Sequence, residues 1–161
     1  MFESKPVILG IFLSSVLALP ALADGLELPS GVKFGMAFSD LQTTAEEQDW
    51  DLRQTTFNTN AWSADAEGLT FYFCNQELSS IDQYLNGGLR GFVETVWQLE
   101  LKYGEASTET FVIAPRSDFE THGLQSVFEL SQGTRISVLI QTRNDEVVFW
   151  SRKSNGEVCE E

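Results

Sequence analysis

The sequence predicts an α+β domain, with helices packed on an antiparallel sheet. Two observations carry that prediction. One long segment repeats its apolar residues at helical spacing, and most of the remaining chain alternates at strand spacing between turn residues.

The long helix is predicted from Leu89. Leu89, Phe92, Val93, Val96, Leu99, Glu100 and Tyr103 recur at three- and four-residue intervals, and only Glu100 interrupts the apolar stripe. Asn86-Gly87-Gly88 breaks the chain before it, and Gly104 is its expected C-cap. Its apolar side must lie on a sheet. A shorter helix opens at Ser39, where Ser39 and Gln42 fit a capping box and Asp40 suits the first turn. Leu41, Thr44 and Ala45 form its expected apolar side.

Strands are expected around both helices. Residues 53–60 are rich in Thr and aromatics. Asp65-Ala-Glu-Gly68 reads as a turn. Leu69-Thr-Phe-Tyr-Phe-Cys74 is the clearest early strand, with Leu69, Phe71 and Phe73 on one face and Thr70, Tyr72 and Cys74 on the other. A further strand covers Leu78–Leu85. After the long helix, Thr110-Phe-Val-Ile-Ala114 stops at Pro115. Leu124–Leu130, Arg135–Gln141 and Glu146–Arg152 follow, separated by Gln132-Gly133 and Asn144-Asp145. The predicted order is α-β-β-β-α-β-β-β. The two halves, 39–85 and 89–152, share one element order.

The N-terminus predicts export. Lys5 precedes an uncharged apolar run, Val7–Leu19, and Pro20-Ala-Leu-Ala23 supplies the small-x-small pattern of a signal peptidase site. Residues 1–23 are therefore expected to be removed. Residues 24–161 are expected to form a single domain with a short polar C-terminal tail. The apolar run is shorter than the ~20 residues a membrane helix needs, and no Cys follows the expected cleavage site. The expected location is periplasmic or secreted, with no membrane span in the mature chain.

The net charge is −14. Such a surface repels phosphate backbones, so nucleic acid is not an expected partner. A protein partner in the cell envelope is expected, basic in charge. The two cysteines, Cys74 and Cys159, suit one disulfide in an exported chain. No CxxC, GxSxG, GxGxxG or P-loop pattern occurs, so no cofactor is expected.

Three constellations are candidates for a site. Asp118, Glu120 and His122 fall on one face of an extended segment, and two carboxylates with an imidazole suit a divalent metal. A polar hairpin connection explains them equally well. Asp49-Trp-Asp51 and Asp65-Ala-Glu67-Gly68 are fragments of calcium-loop patterns without the terminal bidentate Glu. Trp50, Trp62 and Trp97 are interface candidates, although such aromatics more often fill a core. Trp97 lies one residue off the main stripe of the long helix, whereas Trp150 falls in a hairpin strand and is the poorer candidate.

Val32-Lys-Phe-Gly-Met36, Leu99-Glu-Leu-Lys-Tyr-Gly104 and Ile136–Ile140 leading to Val147-Val-Phe149 resemble small exported α+β domains of the β-lactamase inhibitory protein and outer-membrane assembly lipoprotein kind. The resemblance implies a protein that binds others through its sheet face or loops, without catalysis. The expected function is thus a non-catalytic interaction module, inhibitory or assembly-accessory. Two alternatives belong to other classes: a metal-dependent or carboxylate-based hydrolase using Asp118, Glu120 and His122, and a carrier of a small apolar ligand between helix and sheet.

Overall fold

In the computed structural model, residues 28–113, 121–143 and 146–156 are described. The chain is α+β, with two helices on one eight-stranded antiparallel sheet. Helix α1 (Phe38–Gln48) precedes strands β1 (Leu52–Gln54), β2 (Ala61–Ala64), β3 (Leu69–Cys74) and β4 (Glu77–Leu85). Helix α2 (Gly88–Tyr103) precedes β5 (Ser107–Ile113), β6 (Thr121–Glu129), β7 (Arg135–Arg143) and β8 (Glu146–Ser154). The expected alternation of a helix and a run of strands therefore occurs twice, with four strands in each run. The sheet order is β1-β2-β3-β4-β8-β7-β6-β5. Each half is a meander, and the last strands of the two meanders pair at the centre, Asp82 opposite Arg152 and Tyr84 opposite Trp150.

Pairing fixes which side chains share a face. Phe71 opposes Ile81, Leu85 opposes Phe149, Phe149 opposes Ile140, and Ile140 opposes Leu124. Both helices cover that face. Leu41 of α1 completes one core with Phe71, Leu78 and Ile81. Phe92 of α2 completes the other with Phe128, Val138 and Phe149. The two cores do not merge, because the central strands place the polar Gln83, Ser151 and Lys153 between them on the same face. No described helix covers the opposite, open face.

Several expectations change in detail. Of the segment expected as one strand over 53–60, only Arg53 and Gln54 are strand, at the end of β1, and residues 55–60 turn from there into β2; Thr55 Oγ1 donates to the Asn58 carbonyl at 2.7 Å. Helix α1 starts at Phe38 with Ala37 as its N-cap and no side-chain cap. An isolated bridge ties Ala37 to Glu77 and sets the start before Ser39, so the capping box does not form. Residues 75 and 76 join β3 to β4, both with positive φ (50° and 72°), which suits the twist of a two-residue hairpin. The segment before α1 is tied to the sheet: Val32 is buried, and Gly35 and Met36 exchange backbone hydrogen bonds with Leu78 at 2.8 and 2.9 Å.

The long helix forms as expected, and the Gly104 N–H caps it on the Glu100 carbonyl at 2.9 Å. Its apolar stripe is wider than the sheet can cover. Phe92 is buried, and Val96, Leu99 and Tyr103 pack beside it. These four fall within about 60° of arc at 100° per residue. Leu89 and Val93 lie further round and remain exposed.

Cys74 is buried on the open-face side of β3 and is disulfide-bonded, and the described residues contain no free cysteine. Cys159 and the expected signal segment lie outside the described residues. No described helix is long and apolar enough to cross a membrane.

Candidate functional site

The open face concentrates its chemistry where the two halves meet. Along β4 the residues pointing to that face are Ser80, Asp82 and Tyr84; along β8 they are Val148, Trp150 and Arg152. Direct cross-strand pairing therefore stacks an ion pair beside an aromatic pair. Tyr84 and Trp150 have ring centroids 6.4 Å apart, and Tyr84 is 56% exposed.

The ion pair is built into a network. Arg152 donates through Nε to Asp82 Oδ1 at 2.6 Å and through a terminal amino group to Oδ2 at 2.7 Å. Tyr72, from β3, donates its hydroxyl to Asp82 Oδ2 at 3.0 Å. The guanidinium carbon lies 5.0 Å from the Tyr72 ring centroid, so the cation also rests against an aromatic face. The Asp82 side chain is 9% exposed and that of Arg152 is 44% exposed. The carboxylate is thus the anchored member and the guanidinium the accessible one. A bidentate charge-assisted pair fixes the Arg152 fork in one orientation. Beside it, Thr70 opposes Asp82 and Ser137 opposes Arg152, so short side chains flank the network on both sides.

Burial is the main cause that pushes the Tyr72 hydroxyl above the ordinary tyrosine range, and the Asp82 charge adds to it. The hydrogen bonds to Asp82 hold Arg152 still more firmly protonated than a free arginine. A pH dependence follows. An unfolded tyrosine ionises near pH 10, whereas Tyr72 in the folded chain keeps its proton to higher pH. Its contribution is complete below pH ~10 and is lost as pH rises toward the folded value. Melting temperatures measured in steps from about pH 9 to 11 should fall less for Tyr72→Phe than for the native chain. Parallel curves would show that Tyr72 plays no part in the alkaline decline.

The residues singled out from sequence are distributed elsewhere. Trp50 stacks on Phe71 at 5.9 Å, and Trp62 stacks on Phe38 at 4.2 Å; both flank the first core on the helical face. Packing accounts for these two rings. Trp97 is 55% exposed on the outer side of α2. His122 lies in β6 opposite Val112, in a strand that begins at Thr121. Asp118 and Glu120 lie outside the described residues. Among the described residues no group of three His, Cys, Asp or Glu side chains is placed to hold a metal. Asp51 pairs with Arg53, and Asp65–Glu67 form a single 3₁₀ turn closed by Gly68.

Trp150 is the residue the sequence reading passed over. It is partly exposed and stands in the centre of the open face. Its signal was present: Val148, Trp150 and Arg152 alternate with Val147, Phe149 and Ser151. Alternation alone does not tell which set a helix will cover.

None of the family models, curated proteins or solved structures compared with the chain matches it.

Proposed function

We propose that this chain is an exported, non-catalytic protein-binding module, and that its open sheet face, centred on the β4–β8 pair, is the binding surface. The single observation behind the reading is the composition of that centre. Tyr72, Tyr84, Trp150 and Arg152 belong to the residue types that dominate binding hot spots, and here they sit side by side on a rigid sheet. The partner is a cell-envelope protein, basic to match the net charge of −14. The resemblance to inhibitory and assembly-accessory domains supports the same reading, since it too implies recognition through a sheet face.

The test is capture from an envelope extract by the tagged mature chain, followed by affinity measurement with the purified partner. Trp150→Ala should weaken binding by about thirtyfold, the loss expected on truncating a hot spot worth ~2 kcal/mol. Trp97→Ala should leave affinity within about twofold, the scatter of a residue outside the hot spot. The reverse pattern would move the interface to α2 and end the sheet-face reading.

A further inference from the structure

The helical face carries a second feature, at the end of the second core. There the strands run past the first turn of α2 and leave a cleft of about 500 Å³. Leu124 and Ile140 line its floor, with Val112 and Val147 beside them and Leu89 on the α2 side. Ile140 is a core residue, but Leu89, Val112 and Val147 are 60%, 58% and 49% exposed. Three large aliphatic side chains therefore meet water around one concavity. Exposed apolar residues scattered singly need no explanation; a contiguous group around a cleft marks a binding surface. The volume falls within the range of pockets that accept small organic ligands.

We infer that this cleft binds one aliphatic chain of an uncharged amphiphile. The lining decides the chemistry of the chain. Phe111 also borders the cleft, but its ring is turned away: it occupies the space over Gly123 on the open face, where a Cβ at position 123 would lie 2.3 Å from the ring. The surface offered to a ligand is mainly aliphatic; besides Phe111, His122 is the one ring among the described lining residues. The headgroup is decided by charge. His122 is the one titratable side chain among the described lining residues, which include no Asp, Glu, Lys or Arg, and the whole chain carries −14, which depletes anions around it. Thr110 and Thr142 bring hydroxyls to the cleft, and His122 brings ring nitrogens, all suited to hydrogen-bonding a hydroxyl headgroup. The cleft and the Trp150 cluster lie on opposite faces of the sheet, so this inference does not depend on the protein-binding reading.

The experiment uses the mature chain with 1-decanol and decanoate, the same chain length with neutral and anionic heads. Isothermal titration calorimetry measures affinity, and native mass spectrometry counts the stoichiometry. The expected result is one 1-decanol per chain, with decanoate bound at least tenfold more weakly. Thr142→Trp, which places an indole in the cleft from an exposed strand position, should weaken 1-decanol binding at least tenfold. Val147→Ser, which removes apolar lining without bulk, should weaken it severalfold. Both variants should melt within a few degrees of the native chain. Absence of saturable 1-decanol binding up to its solubility overturns the proposal. So does equal or tighter binding of decanoate, or binding unaffected by both substitutions. If Thr142→Trp abolishes capture of the protein partner while 1-decanol never binds, the cleft is a protein contact and the ligand inference is wrong. Trp150→Ala should leave 1-decanol binding unchanged whatever the fate of the sheet-face reading.

Discussion

Replacing Cys74 with serine should lower the stability of the chain by about 4 kcal/mol, and Cys159→Ser should lower it equally. The reason lies in the length of chain between them. Cys74 ends β3 in the first half of the sheet, and Cys159 follows β8, the last strand of the second half. A bond between them closes a loop containing α2 and all of β4–β8. In the chain-entropy account a loop that long removes about 4–5 kcal/mol of unfolded-state freedom. Cys74 is 6% exposed and already fixed by pairing with Glu77, so the sulfur enters the bond from an ordered position. Urea unfolding of the two single variants and of the reduced native chain should give the same loss. A neutral Cys159→Ser beside a destabilised Cys74→Ser would separate the two cysteines, leaving only the cost of a hydroxyl at a buried site. Two titratable thiols per chain in the denatured, unreduced protein would end the pairing outright.

The sequence carried the architecture because its periodicities were strong. The α2 stripe, the alternation of Leu69–Cys74 and that of Ile136, Val138 and Ile140 each match one period and no other, and each is found where expected. What it hid depended on contacts between distant segments. The first turn of α1 is set by the Ala37–Glu77 bridge, which no local capping rule reports. The division into β1 and β2 depends on Asn58 and Thr59 turning back on Thr55 and Gln54 through side-chain hydrogen bonds. The candidate site was hidden for a sharper reason. Asp82, Tyr84, Trp150 and Arg152 are far apart in sequence, and only the pairing of the last strand of each half brings them together. Trp50 and Trp62 stood among the interface candidates, yet their strand and loop positions point them at the helical face, where they pack against the core. An alternating strand announces two faces and leaves open which one receives the helix.

Arg152→Ala should cost about 3 kcal/mol of stability, the low end of what removing one partner of a buried ion pair costs. Asp82 is the reason. Its carboxylate is nearly enclosed, and two of the three side-chain hydrogen bonds it receives come from Arg152. Without the guanidinium, the Tyr72 hydroxyl is the one side-chain donor left to that charge among the described residues. The loss stays near the low end because the Arg152 side chain is 44% exposed, so water enters the space it leaves and solvates part of the carboxylate. The decisive comparison is the double variant. Asp82→Asn removes the buried charge, so Arg152→Ala with Asp82→Asn should be more stable than Arg152→Ala alone, by about 1–2 kcal/mol. Urea midpoints of the four chains close the cycle. Additive losses would mean that the pair is not coupled and that Arg152 acts only through its packing on Tyr72. The same cycle separates stability from recognition. Asp82→Asn keeps Arg152 on the open face but frees its fork, so partner binding should weaken by more than the variant's loss of stability accounts for. Binding that follows stability alone would show that Arg152 supports the sheet and does not contact the partner.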